Sequence, residues 1–498
     1  MADMSQGGGG LRKIGKLRRG AVGLPQTFAQ SFALLALALG SATGTSVVAA
    51  FAGPSVPLVY VLGGVVSLCL ASVIIRFTQR MASAGGLYTF TARGLNPESG
   101  FLSGWLYSMG FAAGISFVMV ISSIYLSDVF ELHAHIHIGW FPLFFIEMAL
   151  MTALALVDIR LSTETQLIAA AIGATAILVG MIIVLAKGGA AGITGEPFNP
   201  NHVSSVGNLF HGLVFAFGAY IGFEAAASLG EEAKRPLEYI PRAVLGAVLV
   251  GTVFYVFVTF CLSIGFGVAG AGKWAADPTA YDTIVTQYAG KGLAVIVDLA
   301  VSLDAFVASL AATVLVSRTL FAMGREGGLP RAFAWTHPRF KTPWVGVIAS
   351  IVLTLVLVTW LAYFTYDPLT YFAFMATAAT FLLIGTYMLV AGAGLRYFWR
   401  DKRASGVRYN IFLDFAAPVI AIVICGLTIY WSIEPVPPHP LNEAPWLALG
   451  WLVLGVIVLA WMRFRQPEKV HGFGRILGEQ AGGEPIADVE PPGVVANP

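Results

Sequence analysis

Three carboxylates stand where carboxylates are expensive. Glu224 falls in "LFHGLVFAFGAYIGFEAAASLG", Asp304 in "VDLAVSLDAFVASL" and Glu164 in "DIRLSTETQ". Each lies in, or at the edge of, an apolar run long enough to cross a bilayer. An ionisable side chain there costs free energy and points to proton handling, ion handling or compensation of a ligand's charge. Glu224 follows two glycines, Gly218 and Gly222. Asp304 lies 14 residues before Arg318, about 21 Å along a helix, and so is deeper than Asp298, which reads as an interfacial carboxylate. Asp304 suits a structural hydrogen-bond partner, a proton carrier or a counter-ion to a cationic substrate. Glu164 has two readings: a carboxyl that exchanges a proton if burial raises its pKa, or an inner-surface carboxylate beside Arg160.

A second kind of chemistry is carried by backbone. "LALALGSATGTSVVAAF" sets Gly40, Ser41, Thr43, Gly44, Thr45 and Ser46 in the middle of an apolar run. Taken singly, such a patch marks a close helix–helix contact as readily as anything else, because small residues let backbones approach. Gly218 and Gly222 repeat the interruption five spans later, the pattern of discontinuous helices in an inverted-repeat transporter. An unwound helix in hydrocarbon leaves N–H and C=O groups unpaired, so the break must line a polar cavity. The restarted half-helix then offers N–H donors to a carboxylate, and the carbonyls of the second break suit an ammonium group.

Other clusters carry less. His133, His135 and His137 share a face only if the backbone is extended, which would suit a metal; in a helix they are interfacial groups that titrate near neutrality. Glu231, Glu232, Lys234 and Arg235 read as a solvated salt-bridge cluster or as part of an inner gate. Cys69, Cys261 and Cys425 lie in apolar runs without metal-ligand spacing, and no outer loop has a cysteine for a disulfide-linked partner chain. There is no nucleophile–base set, cofactor motif or nucleic-acid-binding segment. No enzyme and no cofactor is expected.

The elements that must position these groups follow from hydropathy. The 498 residues are 57% hydrophobic and only 11% charged, too few charges to wet the surface of a soluble protein of this size. Apolar stretches place twelve membrane-spanning helices at 27–52, 57–79, 101–130, 140–158, 163–187, 206–230, 242–268, 288–322, 344–364, 369–396, 411–432 and 445–463. With the N-terminus inside, the cytoplasmic segments carry 26 of the 29 Lys and Arg, so both termini are expected in the cytoplasm. The expected organisation is a disordered basic N-terminus (1–24), a core of ten helices (25–396), two further helices (397–465) and a disordered tail (466–498).

At these residues the sequence resembles the amino acid–polyamine–organocation (APC) superfamily of permeases, over roughly residues 25–465. Gly40 to Ser46 is similar to the family's glycine break in the first helix, with Ser46 in place of the last glycine. "SAGGLYTFTARGLNPESGFLSGW", "GFEAAASLGEEAKRPLEYIPRA" and "SRTLFAMGREGGLPRAFAWTHPRFKTP" resemble its inner connections after helices two, six and eight. The resemblance implies an all-α polytopic membrane protein: a five-plus-five inverted repeat with discontinuous helices one and six, plus two extra C-terminal helices. It implies a substrate carboxylate at Ser41, Ala42, Thr43, Gly44 and Thr45, and an amino group at Phe217, Gly218, Ala219 and Tyr220. Many members have an aromatic gate where this chain has Gly218, so Phe217 or Tyr220 would have to serve. Some proton-coupled relatives have a lysine near Glu164. The expected function is secondary active amino acid import across the plasma membrane by proton symport, with Glu224, Asp304 and Glu164 as coupling or gating candidates and lipid as surroundings. The alternatives are a cationic amine or polyamine transporter and a permease-like nutrient sensor.

Overall fold

The computed structural model describes residues 15–277, 279–364, 368–401, 408–434, 439–477 and 479–480. The first expected span is three helices in series, α1 (Leu24–Leu34), α2 (Leu37–Thr43) and α3 (Thr45–Ala52). It is followed by α4 (Val56–Thr78), the short α5 (Leu87–Gly94), α6 (Pro97–Ala134), α7 (Trp140–Leu156) and α8 (Ile159–Ala186). The second half has α9 (Val206–Gly218), a 3₁₀ turn at Ala225–Leu229, α10 (Pro236–Phe266), α11 (Ala271–Ala276), α12 (Ala280–Ala289), α13 (Lys291–Arg325), α14 (Trp344–Phe364) and α15 (Pro368–Arg400). A π-helical turn (Phe412–Ala416) leads into α16 (Ala417–Ile433), and α17 (Ala444–Arg465) and α18 (Pro467–Val470) follow. Every expected segment is helical. Among the described residues, eight helices are long and apolar enough to cross a membrane. Prolines start several of them: Pro97 in α6, after Asn96 caps the Ser99 N–H, and Pro236 in α10.

The core lies around α13. In its most apolar window 89% of residues are buried, against 22% for Leu441–Arg465, so α13 is enclosed by protein and the last helix faces outward. Exposed Ile146, Ile168, Val253 and Trp446 belong to an apolar outer surface too wide for water, as a lipid-embedded bundle requires.

The end carrying both termini is laced by charge. Glu232 and Arg318 form a two-pronged buried ion pair, and Glu231 pairs with Arg325. The two acids of the cluster expected to be solvated are therefore drawn inward, and their cations come from α13; Lys234 and Arg235 are exposed, and Arg235 pairs with Glu238 instead. Burial pushes the Glu231 carboxyl up, but the Arg325 guanidinium and the Ala84 N–H outweigh it and hold the carboxyl below its usual range. The termini also depart from the expected disorder where they are described. Val22 bridges Glu232 and Lys234 through backbone, and β2 (Glu479–Gln480) pairs antiparallel with β1 (Met81–Ala82). Arg93 donates to the Gly474 and Arg475 carbonyls, Glu326 accepts the Gly474 and Ile476 N–H groups, and Phe473 stacks on Phe101. Polar composition alone predicts a loose tail; the Arg93 side chain on α5 and the Glu326 side chain after α13 give its backbone partners that composition does not reveal.

Candidate binding cavity between two interrupted helices

The interruption of the first span is not where the glycines lie. The backbone turns left-handed at Ala36, with φ 47°, between α1 and α2. A left-handed alanine costs of order 1–2 kcal/mol, so something must offset it. Two polar groups do. The Tyr255 hydroxyl on α10 donates to the Leu35 carbonyl at 2.7 Å, and one Asp304 oxygen on α13 accepts the Ala38 and Leu39 N–H groups at 2.8 and 3.1 Å. Gly40 then matters for space: a Cβ there would lie 2.5 Å from the Tyr255 hydroxyl. At Gly44 there is only a bend between α2 and α3, with the Gly44 N–H still bonded to the Gly40 carbonyl. The expected break at Gly40–Ser46 is thus displaced toward the N-terminus, and its first donors are already bonded to an acid.

The sixth span breaks where the glycines predict. α9 ends at Gly218, Gly222 has φ 109°, and a 3₁₀ turn resumes at Ala225. Glu224 is fully buried and turns back on the break. One oxygen accepts the Gly222 N–H at 3.2 Å; the other accepts the hydroxyls of Tyr107 and Tyr387 at 3.0 and 2.8 Å. The Phe217 and Gly218 carbonyls accept the N–H groups of Tyr220 and Ile221, which leaves each a second lone pair.

Between the two interruptions lies a cavity of about 730 Å³. Leu39, Gly40, Thr43, Gly44 and Ser46 line it from the first span, and Phe215, Gly218, Ala219 and Ile221 from the sixth. Gly110 and Phe111 of α6, Ser309 of α13, and Thr377 and Thr380 of α15 close it. Asp128, on α6 beside Tyr125, is the one charged residue in the wall among the described residues, and no basic side chain lines it. The walls are otherwise apolar with a few hydroxyls, which suits a small ligand with an apolar body and few polar groups. A volume of this size admits an amino acid or a diamine.

The chain matches the model of the amino acid permease family over residues 29–469. It belongs to that family. The permease is 26% identical to the branched-chain amino acid permease BcaP of Bacillus subtilis, over 72% of this chain and 80% of that one. It is 24% identical to the low-affinity putrescine importer PlaP of Escherichia coli, over 83% and 87% of the two chains. It is 25% identical to the methylthioribose transporter of Bacillus subtilis, over 85% and 91%. In fold it is similar to a manganese transporter of Eremococcus coleocola, with TM-score 0.54 and 12% identity over 92% of this chain and 99% of that one. The permease is a multi-pass membrane transporter of the APC type and not an enzyme.

Of the residues assigned by resemblance, Thr43, Gly44, Gly218 and Ala219 line the permease's cavity. Ser41, Ala42, Thr45, Phe217 and Tyr220 are buried behind the wall. Phe217 packs edge-on against Tyr387, and the Tyr220 hydroxyl donates to the Tyr60 carbonyl. The aromatic rings that face the cavity beside the breaks are Phe215 and Phe111, which a six-residue offset from the acid does not select. Glu164 is partly exposed, accepts from Arg160 and Gln26, and lies away from the cavity, the arrangement of the inner-surface reading. Among the described residues no group of His, Cys, Asp or Glu could hold a metal; His137 faces Glu131 at 3.4 Å, and the His133 side chain lies outside the described residues. Cys69, Cys261 and Cys425 are buried and unpaired. Two groups escaped sequence reading. Asp128 looks like an ordinary helix-end acid. Glu147, in "WFPLFFIEMALMTALAL", carries the same signal as Glu224 and is buried in α7.

Proposed function

We propose that the permease imports a neutral amino acid across the plasma membrane by proton symport. In this reading it has twelve crossings in a five-plus-five inverted repeat plus two helices, with both termini cytoplasmic. What supports it most is the cavity between two interrupted helices, apolar in its walls and free of basic side chains among the described residues. Such a wall repels an anionic side chain no less than it fails to attract one. The substrate carboxylate is placed at Thr43 and Gly44, where the bend before α3 faces the cavity, and the ammonium group at Gly218 and Ala219. Glu224 and Asp304 are the proton-coupling candidates: each is buried, each bonds an interrupted helix, and neither has a basic partner among its hydrogen bonds. Glu164 is the weaker third.

A second reading, a cationic amine substrate, is favoured by Asp128 in the wall and accords with the putrescine importer among the relatives. Uptake of labelled branched-chain amino acids and of putrescine in proteoliposomes, with and without an inward proton gradient, separates the two. Amino acid uptake stimulated by the gradient is expected. Uptake that follows sodium and ignores pH would remove proton symport, and putrescine uptake alone would replace the substrate.

A further inference from the structure

Glu147 is the buried acid that this account of transport does not use. It lies midway along α7, 7% exposed, and that helix packs against α6, α8, α13 and α14. Its partners are hydroxyls only. Ser122 of α6 reaches one oxygen at 2.7 Å and Ser123 reaches the other at 2.6 Å.

The hydrogens in this cluster do not cover its contacts. Ser122 Oγ also lies 2.9 Å from the Ser302 carbonyl of α13, and Ser123 Oγ lies 2.9 Å from the Met119 carbonyl. A serine hydroxyl carries one hydrogen. With Glu147 ionised, two hydrogens serve four short oxygen–oxygen contacts, so each is shared between two acceptors or leaves one contact without a hydrogen. The Ser302 hydroxyl, 3.2 Å from Ser122 Oγ, is a third donor, shared between that oxygen and the carboxylate, and its hydrogen enters none of the four contacts. A proton on Glu147 changes the count. Its O–H donates to Ser123 Oγ, Ser123 turns its hydrogen to the Met119 carbonyl, and Ser122 donates to the remaining carboxyl oxygen. Three of the four contacts then hold a hydrogen, and a full charge is removed from the bundle interior.

We propose that Glu147, with Ser122, Ser123 and Ser302, forms a proton-binding site at the junction of α6, α7 and α13, loaded in this conformation. The proton is taken from water as an O–H bond on the carboxylate and returned to water on release; nothing else is consumed. Among the described residues the hydrogen-bond partners of Glu147 are serine hydroxyls and none is charged. On α13 the nearest acids along the chain are Asp298 and Asp304, and Asp304 is committed to Ala38 and Leu39. On α6 the nearest titratable group along the chain is Tyr125. Arg160 and Glu164 of α8 bond each other at the inner end, and the ionisable residue of α14 is Tyr363, one residue before its end. The junction ties α7 to Ser302, two residues before Asp304, so a proton gained or lost there changes the seating of the helix that holds the first-span break. That consequence rests on the proton-coupled reading above; the site itself does not.

Infrared difference spectra of the full chain in nanodiscs test it, recorded from acid to alkaline pH for wild type and Glu147→Gln. A carboxylic-acid carbonyl band that is absent from Glu147→Gln and vanishes as pH rises is expected. A wild-type-minus-variant spectrum with no such band, or with a band that ignores pH, overturns the proposal. Should Glu147→Gln not fold, Ser123→Ala serves: it removes the donor to the ionised form and the acceptor of the acid proton, so the midpoint at which the band vanishes should move, and an unmoved midpoint overturns the proposal. A titrating band together with uptake indifferent to a proton gradient would keep the site and remove proton symport.

Discussion

The two interrupted spans solve one problem in opposite ways. In the sixth, the left-handed residue is Gly222 and the acid that serves the freed N–H is Glu224, two residues on. In the first, the left-handed residue is Ala36, and the acid that serves the freed N–H groups is Asp304, more than 260 residues away on α13. A break made from local materials is paid for by glycine and is stable with little outside help. A break at an alanine persists only while α10 and α13 hold it. The first span is therefore the one whose shape depends on the packing and charge of its neighbours. Both breaks are served by acids in the structure, and for that reason the proposed carboxylate site is the bend at Gly44 and not either break.

The comparison can be broken most severely at Gly222. A Cβ there would lie 2.6 Å from Leu34 Cγ and 3.0 Å from the Leu34 carbonyl oxygen, with φ at 109°. Gly222→Val should cost about 1–3 kcal/mol in backbone strain and a similar amount in overpacking, and abolish uptake. A wild-type thermal midpoint in detergent would show that the sixth break is not locally determined.

Next in size is Glu224. Glu224→Ala leaves two tyrosine hydroxyls and the Gly222 N–H buried without an acceptor, at about 1–3 kcal/mol for each group left unpaired. Glu224→Gln retains an acceptor for the tyrosines and should recover most of the stability. If uptake also recovers in Glu224→Gln and keeps its response to a proton gradient, Glu224 is structural and the coupling role passes to another acid.

A smaller effect is expected at Asp304. Asp304→Asn keeps one oxygen for Ala38 and Leu39 but loses the charge, a difference of about 1 kcal/mol between charged and neutral hydrogen bonds. Affinity for a neutral amino acid should stay within about tenfold, or about 1.4 kcal/mol, while the pH dependence of uptake flattens. Equilibrium binding checks this; a loss of about a hundredfold for a diamine would favour the amine reading.

The mildest substitution is Gly44→Ala. Here φ is −87° and the added Cβ would meet the Gly40 carbonyl at 3.3 Å, close but not prohibitive. Stability should change by less than about 1 kcal/mol, since the backbone is already helical. Affinity should fall because the methyl group narrows the cavity wall. Unchanged affinity in Gly44→Ala, and normal uptake in Gly44→Val, would remove the carboxylate site from this bend.

The sequence by itself determined the helices and the sixth break. Hydropathy is a sum over neighbours along the chain, so the apolar segments are legible residue by residue, and so is Glu224 as an acid among glycines. Glu147 bears the same mark and was legible on the same ground. The tertiary structure alone decided where the first span breaks, because an alanine turns left-handed there only under the Tyr255 hydroxyl and the Asp304 carboxylate, whose positions depend on how α10 and α13 pack. It also decided which assigned residues reach the cavity: Thr43 and Gly44 do, whereas Ser41 and Thr45, two and one positions away, do not. Sequence spacing places residues on a helix, but the rotation of that helix about its axis is set by its neighbours. The docked tail and the buried Glu231 and Glu232 pairs belong to the same class, since their partners are separated from them in sequence and meet only once the bundle has closed.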